Sequence, residues 1–101
     1  MNPYVFATTG WFARDDGGER RHFGMRCSAD LEPVADGVRA TVYHVGRGGA
    51  LNRWRTRRFS ERLEAQAWAA AEAIRIATDP ANWCGETPEA IDAEYWAVVT
   101  D

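Results

Sequence analysis

The first sixty residues alternate between apolar and polar side chains, which is the pattern of half-buried β-strands. Segments rich in aromatic and β-branched residues predict four strands, at residues 4–14, 20–29, 38–45 and 52–59. The turn sequence DDGGE joins the first two strands in a hairpin, and the glycine-rich GRGGA joins the last two. Between these pairs, residues 30–37 contain Pro33 and the turn pair Asp36-Gly37, and they predict a loop.

The apolar period changes from two to about 3.6 residues after Phe59, which predicts a long helix. Ser60 is a suitable N-cap, and the segment ERLEAQAWAAAEAIRIAT follows it. Six alanines between residues 65 and 73 favour the helix and permit its close approach to a sheet. The predicted buried stripe consists of Leu63, Ala67, Ala70, Ile74 and Ala77.

A second, shorter helix is predicted near the end of the sequence. Thr87 is its N-cap, Pro88 and Glu89 suit its first turn, and its predicted buried side is formed by Ile91, Tyr95 and Val98. Strands therefore precede helices along the chain. This order predicts a single α+β domain over residues 1–101: an antiparallel sheet of about four strands, with the long helix packed on one face and the short C-terminal helix after it.

The composition is that of a soluble globular protein, with 46% hydrophobic and 27% charged residues. There is no apolar run of about 18 residues and no pattern of a secretion signal, so a cytoplasmic location is expected. In that compartment Cys27 and Cys84 are expected to be buried free thiols rather than a disulfide. All twelve basic residues are arginine, which indicates a GC-rich genome such as that of a bacterium or its phage.

Charge is distributed unevenly along the chain. Residues 1–62 contain eleven arginines against seven acidic residues, whereas residues 63–101 contain one arginine against eight acidic residues. A protein with two such poles can bind an anionic partner at one and a basic partner at the other. The alternative is that the two poles face each other and cancel.

The sequence offers little for catalysis or metal binding. The only soft metal ligands are spaced unlike any zinc motif: His22, Cys27, His44 and Cys84. Cys84 precedes a predicted helix that could activate it, but a small apolar plug beside Trp83 is the favoured interpretation. The glycines of GRGGA lead into a strand, which favours a hairpin turn over a phosphate loop. We therefore expect no enzymatic activity, no metal and no cofactor.

The stretch GRGGALNRWRTRR, at residues 46–58, contains five arginines. In a regular strand Arg53, Arg55 and Arg57 lie on one face, and Trp54 lies on the other. With Trp54 in the core, these three arginines form an outward ridge, which Arg47 extends. Such a ridge can bind the phosphates of a nucleic acid or another anionic partner. It can equally be a solvated edge strand whose charges discourage aggregation.

The acidic half provides a second candidate surface. Six of its acidic residues could imitate phosphates toward a basic protein partner: Glu64, Glu72, Glu86, Glu89, Asp92 and Glu94. The last four are the predicted contact with that partner. The alternative is an ordinary helix with a solvated acidic face.

The segment RFSERLEAQAWAA resembles the strand–helix boundary of the arm-type DNA-binding domains of phage tyrosine integrases. The residues that match in spacing are Phe59, Glu64, Ala65 and Trp68. This resemblance implies that the sheet face with the arginine ridge reads DNA. The chain departs from the family at Glu61, where a capping threonine is expected, and in its acidic last 39 residues.

In size and charge distribution the chain also resembles phage-encoded inhibitors such as anti-CRISPR proteins. This second resemblance implies a small, non-enzymatic inhibitor or regulator from a phage or other mobile element. Such a protein would bind a protein or nucleoprotein partner, as a monomer or a homodimer. The alternative hypothesis is a sheet-based DNA-binding module that uses the arginine ridge.

Overall fold

The structure is a computed structural model that describes residues 9–23, 27–45 and 51–79, together with Ala81, Thr87, Ala90 and Ala93. In these residues five strands precede one long helix: β1 Phe12–Ala13, β2 Glu19–Phe23, β3 Cys27–Val34, β4 Gly37–Val45, β5 Leu51–Phe59 and α1 Arg62–Ala77. The strands form one antiparallel sheet in the order β1-β2-β3-β4-β5, and α1 packs against it. The predicted α+β fold is confirmed, with five strands instead of about four.

The predicted strand at residues 20–29 is in fact β2 and the beginning of β3. Phe23 pairs with Cys27, so the chain reverses direction between them. Cross-strand partners point to the same face, and both of these side chains are buried. Because the two positions are an even number of residues apart, the alternation of period two continues through the reversal unchanged. The alternation therefore could not reveal the extra strand.

The predicted loop at residues 30–37 is wrong over most of its length. β3 continues to Val34, and a two-residue turn separates it from β4, which begins at Gly37. Pro33 lies within β3 although proline cannot donate a ladder hydrogen bond. β2 pairs with β3 only as far as Leu31. At Pro33 the edge of β3 that faces β2 therefore has no partner among the described strands, and the missing N–H group is tolerated there.

The core lies between the sheet and α1, on what we call the helix face; the opposite side of the sheet is the far face. The strands contribute Phe23, Cys27, Ala29, Leu31, Ala40 and Val42. The helix contributes Ala65, Ala69, Ala73 and Ile76. Alanines on both layers let the helix approach the sheet closely, as the alanine-rich sequence predicts.

The buried side of α1 differs from the predicted stripe. Leu63 is 71% exposed, and Ala67 is exposed as well. The prediction turned the larger apolar side chains inward, but the sheet itself supplies the bulk of the core through Phe23, Leu31 and Val42. Three of the four described buried side chains of α1 are therefore alanines, and Ile76 is the larger one. Larger side chains at the alanine positions would overfill the space beneath the helix.

The N-cap of α1 is Glu61 rather than the predicted Ser60, and its side chain makes no capping hydrogen bond. Contacts with the sheet hold the start of the helix instead. Arg62 Nε lies 2.8 Å from Oε2 of Glu19 in β2, and the amide of Gln66 reaches Oε1 of the same carboxylate at 3.4 Å. The helix begins where these contacts can form, which a local capping rule does not take into account.

The start of the predicted second helix falls on described residues. Ala90 and Ala93 are helical, and the amide of Ala90 donates to Oγ1 of Thr87 at 3.2 Å. A hydrogen bond from the third helical amide to the capping side chain is the geometry expected for Thr87 as N-cap. The rest of this prediction lies outside the described residues: Pro88, Glu89, Ile91, Tyr95 and Val98. In the described part of the chain no helix has the length and apolar character needed to cross a membrane.

Asp30 connects three segments of the sheet on the far face. Its side chain is 9% exposed and accepts hydrogen bonds from Nε and Nη2 of Arg20, at 2.6 and 2.8 Å. Arg14 Nη1 donates to it at 2.7 Å, and Arg14 also pairs with Asp16 at 3.1 Å. Charge-assisted hydrogen bonds of this kind offset the cost of burying the carboxylate. This is why an aspartate that resembles a turn residue lies inside a strand.

Replacement of Asp30 by asparagine is expected to destabilise the protein by about 2–3 kcal/mol, because two partly buried arginines lose their shared carboxylate. The matched control is Glu32→Gln, on the same strand and face. Glu32 is 41% exposed and binds Arg39, so its replacement should cost less than about 1 kcal/mol. Urea unfolding of both variants measures the two changes. Equal losses in the two variants would contradict the central role of Asp30.

Candidate functional site

Five of the nine described arginines in residues 1–62 have a polar partner in β2, in β3 or in the segment before β1. Four of them form ion pairs: Arg14 and Arg20 with Asp30, Arg39 with Glu32, and Arg62 with Glu19. Arg21 donates to the carbonyl oxygen of Thr9 at 2.9 Å and lies 4.6 Å above the ring of Phe23. Arg26 and Arg47 lie outside the described residues. The four arginines of β5 remain; of these, Arg57 lies 5.1 Å above the ring of Phe59, a contact that leaves its charge without an acidic partner among the described residues.

These four exposed arginines, which we call the arginine edge, are Arg53, Arg55, Arg57 and Arg58. They lie on β5, the last strand of the sheet. Arg55 Nε is 3.7 Å from Oε2 of Glu72, but that oxygen is only 2.5 Å from Arg75 Nη2. The guanidinium groups of Arg53 and Arg58 form no hydrogen bond or ion pair with any described residue. The arginine edge thus carries positive charge that its described surroundings barely compensate.

A β-bulge at Trp54 changes the direction of the arginines along β5. Arg53 lies opposite Tyr43 and Arg55 lies opposite Val42, so Trp54 has no partner in β4. Val42 is buried on the helix face, which places Arg55 on that face. Tyr43 follows Val42 in the strand and points to the far face, which places Arg53 there.

The predicted ridge of Arg53, Arg55 and Arg57 on one face is therefore wrong. Arg57 lies opposite the buried Ala40, and so it shares the helix face with Arg55. Arg58 shares the far face with Arg53. One extra residue in a strand reverses the face of every position on one side of it, which no alternation rule anticipates. The arginines consequently lie two on each face of the sheet.

Trp54 is not part of the core, contrary to the prediction. Its side chain is 44% exposed, and its ring centroid lies 6.2 Å from that of His44 with the planes inclined at 54°. The bulge removes this residue from the regular alternation that would have turned it inward. An aromatic side chain is therefore accessible at the centre of the arginine edge.

A polar cleft of about 120 Å³ lies on the far face beside the arginine edge, and it is lined by Glu32, Arg39, Thr41, Tyr43, Arg53 and Thr56. Thr56 Oγ1 donates to the carbonyl oxygen of Ala40, and it lies 3.1 Å from Oγ1 of Thr41. A hydroxyl has one hydrogen, so Thr41 donates to Thr56, and both hydroxyl hydrogens are used within the sheet. Arg53 supplies the positive charge of the cleft that no described acid neutralises.

Tyr43 and Thr56 are absent from the set of predicted site residues. The sequence does contain a signal for Tyr43. In β4, polar groups stand at every second position, at Arg39, Thr41 and Tyr43. That spacing marks a strand face that does not enter the core. It could not show which arginines of β5 share the face, because this depends on the bulge.

Four residues match the spacing at the strand–helix boundary of the integrase domains, and three of them pack α1 against the sheet. The rings of Phe59 and Trp68 lie 5.6 Å apart, Ala65 is fully buried, and Glu64 is exposed. These contacts hold the helix against the end of β5. Of the acidic candidate surface, the structure describes Glu64, which is exposed, and Glu72, which is paired with Arg75. Its other members lie outside the described residues: Glu86, Glu89, Asp92 and Glu94.

Burial is the main influence on the pKa of two groups in the sheet, the thiol of Cys27 and the imidazole of His22. Burial raises the pKa of Cys27 to about 12. Burial also lowers the pKa of His22, with a further contribution from Arg20 that Asp30 opposes. No group of three or more histidine, cysteine, aspartate or glutamate side chains in the described segments could hold a metal ion. Cys84 lies outside those segments.

The exposure of Trp54 predicts that Trp54→Ala costs less than about 1 kcal/mol of stability, since surface substitutions seldom cost more. Trp68→Ala is the matched control. Trp68 packs against the core, and its loss should cost about 2–3 kcal/mol. Thermal or urea unfolding of the two variants measures the difference. A loss at Trp54 as large as that at Trp68 would place Trp54 in the core after all.

The raised pKa of Cys27 predicts that its thiol does not react in the folded protein at pH 8, because almost no thiolate is present and the sulfur is buried. The Cys84→Ser variant leaves Cys27 as the sole thiol. A chromogenic disulfide reagent should detect no thiol in this variant until urea unfolds it, and one thiol afterwards. Rapid labelling of the folded variant would refute the burial of Cys27.

Comparisons of this chain with models of protein families, with curated protein sequences and with solved structures find no match.

Proposed function

We propose that this protein is a non-catalytic binding protein that inhibits or regulates a protein or nucleoprotein partner by occupying an acidic region of that partner's surface. The arginine edge is the contact. The observation that carries this proposal is the uncompensated charge of β5, where four exposed arginines have one described acidic neighbour within 4.0 Å, and that neighbour is shared with Arg75.

Arginine chemistry supports a carboxylate-bearing partner. The guanidinium group is planar, permanently charged and able to donate two parallel hydrogen bonds to a carboxylate. Four such groups on one short strand repel each other, and an acidic partner relieves that repulsion when it binds. Complementary charge also accelerates association and suppresses contact with basic or neutral surfaces. Trp54 adds an exposed aromatic side chain of the kind enriched at protein interfaces.

The arrangement of the arginines gives less support to a sheet that reads a DNA groove with one face. That mechanism relies on a ridge of arginines along a single face, whereas the arginine edge has two on each face. On the helix face a phosphate backbone would also approach Glu72, which lies beside Arg55. Small size and the uneven charge distribution fit a regulator or inhibitor of the kind that mobile elements encode.

Arg53→Glu is expected to weaken capture of the partner at least about tenfold, because a favourable charge contact becomes a repulsive one. The measurement is affinity capture from a lysate of the source cells by immobilised wild-type and variant proteins, with and without nuclease treatment. A protein partner should survive the nuclease. The bound partner should dissociate as salt is added, since exposed charge pairs are screened.

The matched control is the double variant Leu63→Glu/Ala67→Glu, which makes the same change of two units in net charge at two exposed positions of α1. It should retain capture within about twofold, because net charge alone acts only weakly at physiological salt. Equal losses in both variants would refute a specific role for the arginine edge. Capture that disappears with nuclease treatment would instead favour the DNA-binding alternative.

A further inference from the structure

The outer side of β5 is the basis of a more specific inference. β5 is nine residues long, from Leu51 to Phe59, and it is the last strand in the sheet order. Among the described strands it pairs with β4 alone. Every second residue of an edge strand directs its backbone N–H and C=O groups outward, where another extended chain can pair with them.

The charge of this edge restricts which chain can pair with it. A second copy of β5 would place arginines opposite arginines, and like charges on paired strands are destabilising. A neutral strand would leave the arginines uncompensated and partly desolvated. An acidic strand would instead pair carboxylates with the guanidinium groups. The edge therefore discriminates against self-association and in favour of one class of partner.

The distribution of the arginines over both faces also favours an acidic strand as the partner of β5. A strand that pairs with β5 extends both faces of the sheet, and its own side chains alternate between them. Its carboxylates can then meet Arg53 and Arg58 on the far face and Arg55 and Arg57 on the helix face. A partner surface that lies flat against one face of the sheet would meet only two of the four.

From these observations we propose that the partner contributes an extended acidic segment, which pairs with β5 through its backbone and extends the sheet by one strand. This inference rests on the proposed function, because it takes the arginine edge as the contact. It adds to that proposal that the partner's segment is extended, and that its acidic side chains determine which sequences bind. Main-chain hydrogen bonds fix the position of the segment, and its carboxylates select for acidic sequences.

A set of peptides with equal charge tests strand pairing separately from charge attraction. The probe is a fluorescent nine-residue peptide with a repeating Glu-Glu-Thr-Thr sequence, which places carboxylates on both faces of its extended form. A second version is N-methylated at every other residue, which blocks one backbone edge only. A third version is N-methylated at every residue, which blocks both edges. Fluorescence anisotropy measures the affinity of each peptide for the wild-type protein.

Strand pairing predicts that the version with one blocked edge binds within about threefold of the unmodified peptide, because its free edge still pairs. The version with both edges blocked should bind at least about tenfold more weakly, since several main-chain hydrogen bonds are lost. The half-methylated peptide controls for the effect of N-methyl groups on conformation. Equal affinities of all three peptides would overturn strand pairing and leave charge attraction alone.

Variants of the protein distinguish this inference from the proposed function on which it rests. Arg53→Glu and Arg58→Glu should each weaken binding of the unmodified peptide, and the control variant Leu63→Glu/Ala67→Glu should not. If all peptides bind equally but depend on Arg53 and Arg58, strand pairing is refuted while the proposed function stands. If binding is independent of both arginines, the proposed function itself is refuted. A random DNA duplex that binds more tightly than the peptide, with the same arginine dependence, would also overturn strand pairing.

Discussion

The buried carboxylate of Asp30 organises the charges of the sheet. It accepts hydrogen bonds from Arg14 and Arg20, and so it joins the β1–β2 turn, β2 and β3 on the far face. Glu19 and Glu32 neutralise two further arginines in the same way. Three acidic residues of β2 and β3 are thereby engaged within the fold. The arginines of β5 keep a net positive charge because Glu72 is the one described acid within 4.0 Å of any of them, and Arg75 shares it.

The bulge at Trp54 determines how that charge is presented. It divides the arginine edge between the two faces of the sheet and leaves an aromatic side chain exposed between them. Charges that surround an edge strand prevent pairing with a like-charged copy, yet they suit an acidic segment. The bulge therefore determines which arginines each face of the sheet presents and leaves Trp54 accessible between them.

Local sequence patterns predict which strand carries the candidate site. The pairing of the strands determines where its side chains point. The density of arginines in residues 51–59 is enough to mark β5 as a basic strand. The directions of Arg55 and Trp54 could not be predicted, because a bulge is a property of the pairing between β5 and β4. The cleft beside Tyr43 could not be predicted for the same reason, since residues from three paired strands form it.

The sequence by itself determined the strand and helix types, their order, the N-cap at Thr87 and the division of charge, because each depends on neighbouring residues. Only the tertiary structure decided the chain reversal after Phe23, the strand position of Asp30 and the alanine side of α1. Those features depend on contacts between segments: the pairing of Phe23 with Cys27, the bonds of Asp30 to Arg14 and Arg20, and the large side chains that the sheet places under α1. Alternation and capping describe one segment at a time, whereas pairing register and burial belong to the assembled layers.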